Sequence, residues 1–142
     1  MTNKEIEVGD YVYLQIRKKL HIAQVMNKYL TCDTFVLQHG EVIKSEVIKD
    51  IQPIILTVEI LENNGFTSYD VLSVDENGNE CVSGKQCEYV EGESKINVYF
   101  FNNEVVSFEV YGNHAECKAE KKHVHDLQHA MKFCEIIKEL KL

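Results

Sequence analysis

The sequence predicts an α+β fold, mostly antiparallel β, and three observations carry that expectation. Apolar residues alternate at period two through much of the chain, Asn and Gly stand where hairpins would reverse, and after about His123 the period changes to three and four. A length of 142 residues suits one ordinary domain, with enough chain to bury a core without a metal or disulfide. Hydrophobic residues at 44% and charged residues at 27% give the balance of a globular protein, so order is expected nearly end to end.

The first third reads as short strands separated by turns. Gly9-Asp10 leads into Tyr11–Ile16, where Val12, Leu14 and Ile16 share one face. A basic turn, Arg17-Lys18-Lys19, gives way to a second strand over Leu20–Met26, and Thr34–Leu37 makes a third. The His39-Gly40 turn leads to a fourth strand around Val42, and Val47–Ile51 is expected as a fifth. Strands this short must close on one another to hide their edges, which predicts an N-terminal SH3-like small barrel. Pro53 has no N–H to give a ladder and ends the strand set.

A short helix follows, with Thr57 as N-cap, Val58, Ile60 and Leu61 as its apolar stripe, and Asn64-Gly65 as its stop. Tyr69–Val74 alternates as a strand, Asn77-Gly78 signals a hairpin, and the partner strand is expected from Cys81. Lys95–Phe101 and Glu104–Tyr111 flank Asn102-Asn103, a pair tolerant of positive φ; a two-residue turn there would set Phe100 opposite Val105 and Tyr99 opposite Val106. The last element is a packed C-terminal helix whose stripe runs Val124, Leu127, Met131, Cys134, Ile137 and Leu140 or Lys141. The expected organisation is therefore an SH3-like subdomain over residues 1–55 and an acidic α+β subdomain over 56–142, closely packed.

Charge separates the two parts. Residues 1–50 hold seven Lys or Arg and seven Asp or Glu, whereas residues 51–142 hold eight and sixteen, so the whole net charge of −8 sits in the second part. A phosphate backbone is repelled by such a surface, which disfavours nucleic acid and leaves a protein as the expected partner. No apolar run approaches the roughly 20 residues that span a bilayer. The polar, acidic start MTNKEIEVGD lacks the pattern of a signal peptide, so residence in the cytoplasm is expected, with the five cysteines as thiols.

The richest constellation for chemistry is His114, Cys117, His123, His125, His129 and Cys134. His125 and His129 stand four apart on a helix and His114-x-x-Cys117 has ligand spacing, so a zinc site drawn from His114, Cys117, His125 and His129 is the metal reading. The competing and favoured reading is structural, because Cys134 belongs to the apolar stripe and a second finger-like cysteine is missing. No cofactor is expected otherwise: the sequence has no GxSxG, Walker-type, GxGxxG or HExxH motif. The candidate for single-stranded nucleic acid is Tyr13 beside Arg17, Lys18 and Lys19, since stacking needs an exposed aromatic next to cations.

Two strings resemble a known group. Asp50-Ile51-Gln52-Pro53-Ile54-Ile55-Leu56-Thr57-Val58-Glu59-Ile60-Leu61 with Gly65-Phe66 resembles the DI.PI.LT.E.L...GF stretch of small uncharacterised proteins of phage and mobile elements of Bacteroides-type bacteria. Val124-His125-Asp126-Leu127-Gln128 resembles the VH.LQ that begins their final helix, after which this chain departs from their LQNLYFALTG. The resemblance implies an accessory protein of a phage or mobile element and assigns no activity to any residue. The expected function is thus a non-enzymatic, protein-binding accessory module, with a metal or catalytic site in the His114–Cys134 cluster, or weak single-stranded nucleic-acid binding, as alternatives.

Overall fold

A computed structural model describes residues 5–29, 34–40, 42–47 and 51–142. Cys32 and residues 48–50, the middle of the fifth strand expected over Val47–Ile51, lie outside them; Val47 ends one strand and Ile51 starts another. The fold is mostly antiparallel β, with two five-stranded sheets and two helices among the described residues. The chain divides into two compact units: residues up to Ile55 together with His123–His125 and Leu142, and residues 56–122 together with 126–141.

In the first unit, β1 (Tyr11–Ile16), β2 (Lys19–Tyr29), β3 (Thr34–His39), β4 (Val42–Val47) and β5 (Ile51–Pro53) form a sheet of order β4-β3-β2-β1-β5. Alternation puts Val12, Leu14, Ala23, Val25, Phe35 and Leu37 on one face, where they are buried with Ile6 and Ile51. Arg17 and Lys18 turn the first hairpin with φ of 48° and 64°, the left-handed pair that matches strand twist. The second strand runs three residues further than its apolar alternation, to Tyr29, past a register shift between Val25 and Asn27. At the sheet's entry the buried Asp10 carboxylate accepts from the Glu7 N–H at 2.7 Å, while Val25 N–H donates to the Asp10 carbonyl at 2.9 Å. Pairing runs from β4 to β5 without joining those two ends, so a closed barrel is not found among the described residues.

The second unit begins with α1 (Val58–Asn63). Thr57 Oγ1 accepts from Ile60 N–H at 3.1 Å, and Gly65, at φ 84°, lets Phe66 N–H reach back to the Leu61 carbonyl at 3.0 Å. Then β6 (Thr67–Val74), β7 (Glu80–Glu91), β8 (Ser94–Phe101), β9 (Glu104–Tyr111) and β10 (Glu116–Ala119) make a sheet of order β10-β9-β8-β7-β6. Cys87, Ile96, Val98, Phe100, Phe108 and Val110 are buried along its core face. Asn102 and Asn103 turn with φ of 51° and 62°, and Phe100 stands opposite Val105. The expected partner of Tyr99 is displaced: a register shift between Tyr99 and Phe100 sets Tyr99 opposite Ser107. At 75–80 it is Gly78 alone that takes positive φ, 80°, in a loop held by the Asp75 carboxylate rather than a two-residue Asn-Gly turn.

The last helix, α2 (Val124–Phe133), is shorter than its stripe. Glu135 takes φ 57° and Ile136 N–H bonds the Met131 carbonyl at 2.9 Å, the closure that usually uses Gly. Ile137 is consequently 97% exposed, while Leu140 is buried from a tail that is no longer helical. Tertiary bonds hold that tail: Asn64 Nδ2 donates to the Lys141 carbonyl at 2.8 Å and Lys141 N–H donates to Asn64 Oδ1 at 2.6 Å. Gly112 is needed where the helix end meets the sheet, because a Cβ there would lie 2.1 Å from the Cys134 carbonyl oxygen.

Candidate functional site

The histidine and cysteine cluster is spread by the fold. His114 is exposed in the bend after β9, Cys117 is half-buried on β10, His125 is buried in the first turn of α2, and His129 is half-buried one turn later. Cys134 is buried, its Sγ donating to the Val110 carbonyl at 3.5 Å. Burial pushes its thiol pKa above the ordinary value, and the nearby Cys117 adds to the rise. One group of three ligand atoms forms among the described residues: those of His123, His125 and Asp126 lie within 4.8 Å of one another. It is a single tetrapeptide, with the two imidazole rings stacked at 5.4 Å and Lys121 Nζ 3.9 Å from the Asp126 carboxylate. The group takes His125 from the expected zinc set and leaves His114, Cys117 and His129 outside it.

The segment Ile54–Leu56 pairs with the segment Lys122–Val124. Val124 N–H donates to the Ile54 carbonyl at 2.7 Å, Leu56 N–H donates to the Lys122 carbonyl at 2.8 Å, and Ile55 bridges to His123.

In the first unit Tyr13 lines an open groove of about 640 Å³ with Tyr11, Leu20, Ile22, Gln24 and His39. His39 packs on His21 at 4.6 Å and its Nδ1 lies 3.1 Å from the Ile22 carbonyl oxygen. Arg17, Lys18 and Lys19 are exposed at the hairpin end and do not line the groove. On the second sheet, away from its core face, the hydroxyls of Tyr99 and Tyr111 both donate to Glu109, at 3.3 and 2.9 Å, and Gln86 donates to Asn97 at 2.9 Å. Burial and then the Glu109 charge raise the Tyr99 pKa, so that phenol remains a donor.

Comparison with protein-family models, with curated proteins and with solved structures finds no match for this chain. The site has to be read from its chemistry alone.

The surface that reads most clearly is the far end of β6 and β7. Pairing with β8 covers only Lys85–Glu91 of β7, so Glu80–Gly84 and Val71–Val74 continue as a two-stranded ribbon. Leu72 stands opposite Val82 and Val74 opposite Glu80, and alternation puts the three aliphatic side chains on one side, 57%, 59% and 67% exposed for Leu72, Val82 and Val74. The other side carries Val71, 38% exposed, beside polar groups: Ser73 Oγ and Cys81 Sγ are 3.3 Å apart and Ser83 Oγ donates to the Val71 carbonyl at 3.0 Å. At the tip Asp75 Oδ1 accepts from Asn77 and Asn79 N–H, both at 2.9 Å, which fixes an acidic loop. Residues 51–84, which supply α1, β6 and the ribbon's tip, contain six acids and no Lys or Arg. Lys85, 4.0 Å from Asp70, is the nearest cation on the paired strand.

Sequence reasoning missed this surface. Its signals were the long run without a base and the 12-residue β7 beside an 8-residue β8. The first is visible in the sequence; the second follows only from where the strands pair.

Proposed function

We propose that the chain is a non-enzymatic accessory module that binds another protein. The observation that supports it is the β6–β7 ribbon, where exposed aliphatic side chains share one face and every flanking charge from residues 51–84 is negative. A contiguous apolar face with a polar rim marks an interaction site more often than it marks idle surface. The buried thiols suit a structural role: burial pushes Cys87 up to about 11, with Glu62 adding to the rise, which keeps it protonated at neutral pH and a poor nucleophile.

The first unit is read as an SH3-like small barrel, supported by the order β4-β3-β2-β1-β5 and by a long second strand that bends at a bulge. A place among phage or mobile-element accessory proteins is supported by the two strings, Asp50–Leu61 with Gly65-Phe66 and Val124–Gln128. The test is affinity capture from host lysate with the intact chain as bait. A partner recovered reproducibly and competed off by untagged chain is the expected result; repeated recovery of nothing but background removes the reading.

A further inference from the structure

We propose that Asn77-Gly78 is a site of spontaneous covalent modification, where the side-chain amide is lost and a carboxylate takes its place, while the fold shields the chain's other Asn-Gly pair, Asn64-Gly65, from the same reaction. The chemistry is set by the dipeptide. The Gly78 backbone nitrogen gives its proton to solvent and attacks the Asn77 side-chain carbonyl carbon; a C–N bond closes a cyclic imide, and the side-chain nitrogen leaves as ammonia. Water then opens the imide at either carbonyl, giving aspartate in the ordinary linkage or isoaspartate, in which the main chain runs through the former side chain. The sum exchanges ammonia for water, with no change of oxidation state. Glycine in the second position favours the closure because it has no Cβ to obstruct the ring and its backbone turns freely.

The two pairs meet opposite environments. Residues 75–79 are all exposed, in the loop between β6 and β7. The loop is held by bonds among its own residues: Asp75 Oδ1 accepts from Asn77 N–H and Asn79 N–H, Gly78 N–H donates to the Asp75 carbonyl at 3.0 Å, and Asp75 N–H donates to the Asn79 carbonyl at 2.9 Å. The Asn77 side chain makes no hydrogen bond among the described residues, so its carbonyl reaches the glycine nitrogen at the cost of the Gly78 bond alone, in a loop that water solvates at once. Asn64, by contrast, is 7% exposed; its Nδ2 donates to the Ile60 and Lys141 carbonyls, its Oδ1 accepts from Lys141 N–H, and Gly65 N–H donates to the Glu62 carbonyl at 3.1 Å. Closing an imide there breaks every one of those bonds and strands buried groups without partners, so it waits for unfolding. At Asn77 the product adds a negative charge to a loop flanked by Asp75, Glu76 and Glu80. Isoaspartate also inserts a carbon into the main chain between residues 77 and 78, which draws the Gly78 and Asn79 N–H groups away from Asp75 and loosens the loop.

The test ages the intact chain in neutral buffer at physiological temperature, once folded and once in urea, and maps its Asn-containing peptides by mass spectrometry with fragmentation that separates aspartate from isoaspartate. In the folded chain Asn77 should convert at least roughly tenfold faster than Asn64, a difference in barrier of about 1.4 kcal/mol. In urea the ratio should fall toward unity, since both pairs are then the same dipeptide in an open chain. Both isomers should appear at position 77, and the amide shifts of aged protein should be confined to the loop and the strand ends beside it. Asn77→Ser, at an exposed position, should abolish the acidic variant that isoelectric focusing resolves in aged wild type. Several results would each overturn the proposal: folded chain that keeps Asn77 intact for as long as urea takes to convert it, equal rates at the two pairs in the folded state, or aspartate without its isomer. A preference for Asn77 that persists undiminished in urea would overturn the protection by the fold, and earlier conversion at Asn79 or Asn103, each followed by Glu, would overturn the choice of site.

Discussion

Asn64 should be the most sensitive polar residue of the second unit. Its side chain is 7% exposed and makes three bonds: Nδ2 donates to the Ile60 and Lys141 carbonyls, both at 2.8 Å, and Oδ1 accepts from Lys141 N–H at 2.6 Å. A net hydrogen bond contributes about 1 kcal/mol, and a partner left buried and unsatisfied costs more. Asn64→Ala should therefore lose about 2–4 kcal/mol in urea denaturation. That corresponds to a fall in Tm of about 10 °C for a chain of this size. Hydrogen exchange at the Lys141 amide should rise with it. Asn64→Asp keeps the acceptor for Lys141 N–H but turns a carboxylate toward two carbonyls. It should be worse than Ala at neutral pH and recover partly in acid, where the protonated form regains one donor. If Asn64→Ala stays within about 0.5 kcal/mol of wild type with Lys141 still protected, the claim that this amide holds the tail is wrong.

Gly84→Ala should cost at least about 2 kcal/mol in denaturant melts, because its Cβ would lie 2.2 Å from the Phe100 carbonyl oxygen and backbone cannot step aside cheaply. Replacing Arg17-Lys18 by Asn-Gly should raise stability by about 1 kcal/mol, since both positions hold positive φ; an unchanged Tm would refute the strain argument. Exposed Cys81 should react with a thiol reagent in the native state and buried Cys87 only on unfolding, followed by mass spectrometry of the labelled peptides. Because folding raises Cys87 from the ordinary 9.0 to about 11, the native state holds a proton that the unfolded chain gives up between those values. Stability from this group is intact below pH 9 and lost as pH rises toward 11, and Cys87→Val should flatten that decline.

The elements easiest to read in the sequence were those whose signal is local. The cap at Thr57, the stop at Gly65 and the turn at Asn102-Asn103 are decided by a few neighbouring residues, and each forms where its residues direct it. What escaped depends on contacts between distant segments. Cys134 and Leu140 are buried as the helical stripe requires, yet Leu140 gets there from a non-helical tail that Asn64 holds through Lys141, 77 positions away in sequence. The register after Tyr99 shifts by a bulge that no alternation pattern announces. Strand β10 was missed because Glu116–Ala119 offers four residues with little apolar pattern. Histidine spacing suggested a zinc set, but the bend at His114 and the helix start at His125 are placed by different partners. The ribbon's exposure follows from a difference in strand length, which composition cannot express.

The division of the chain has a consequence for how the protein is made. The first unit takes His123–His125 as well as the residues up to Ile55, and the Ile54–Val124 bond belongs to it. At translation speeds of about 5–20 residues per second, the 67 positions between Ile55 and His123 take about 3–13 s to synthesise. During that interval an N-terminal sheet waits on the ribosome without its closing segment, while the acidic strands that follow emerge and pair among themselves. Cutting the gene after residue 55 would prolong that wait indefinitely, so the N-terminal fragment is the one expected to call on chaperones or to aggregate when expressed by itself.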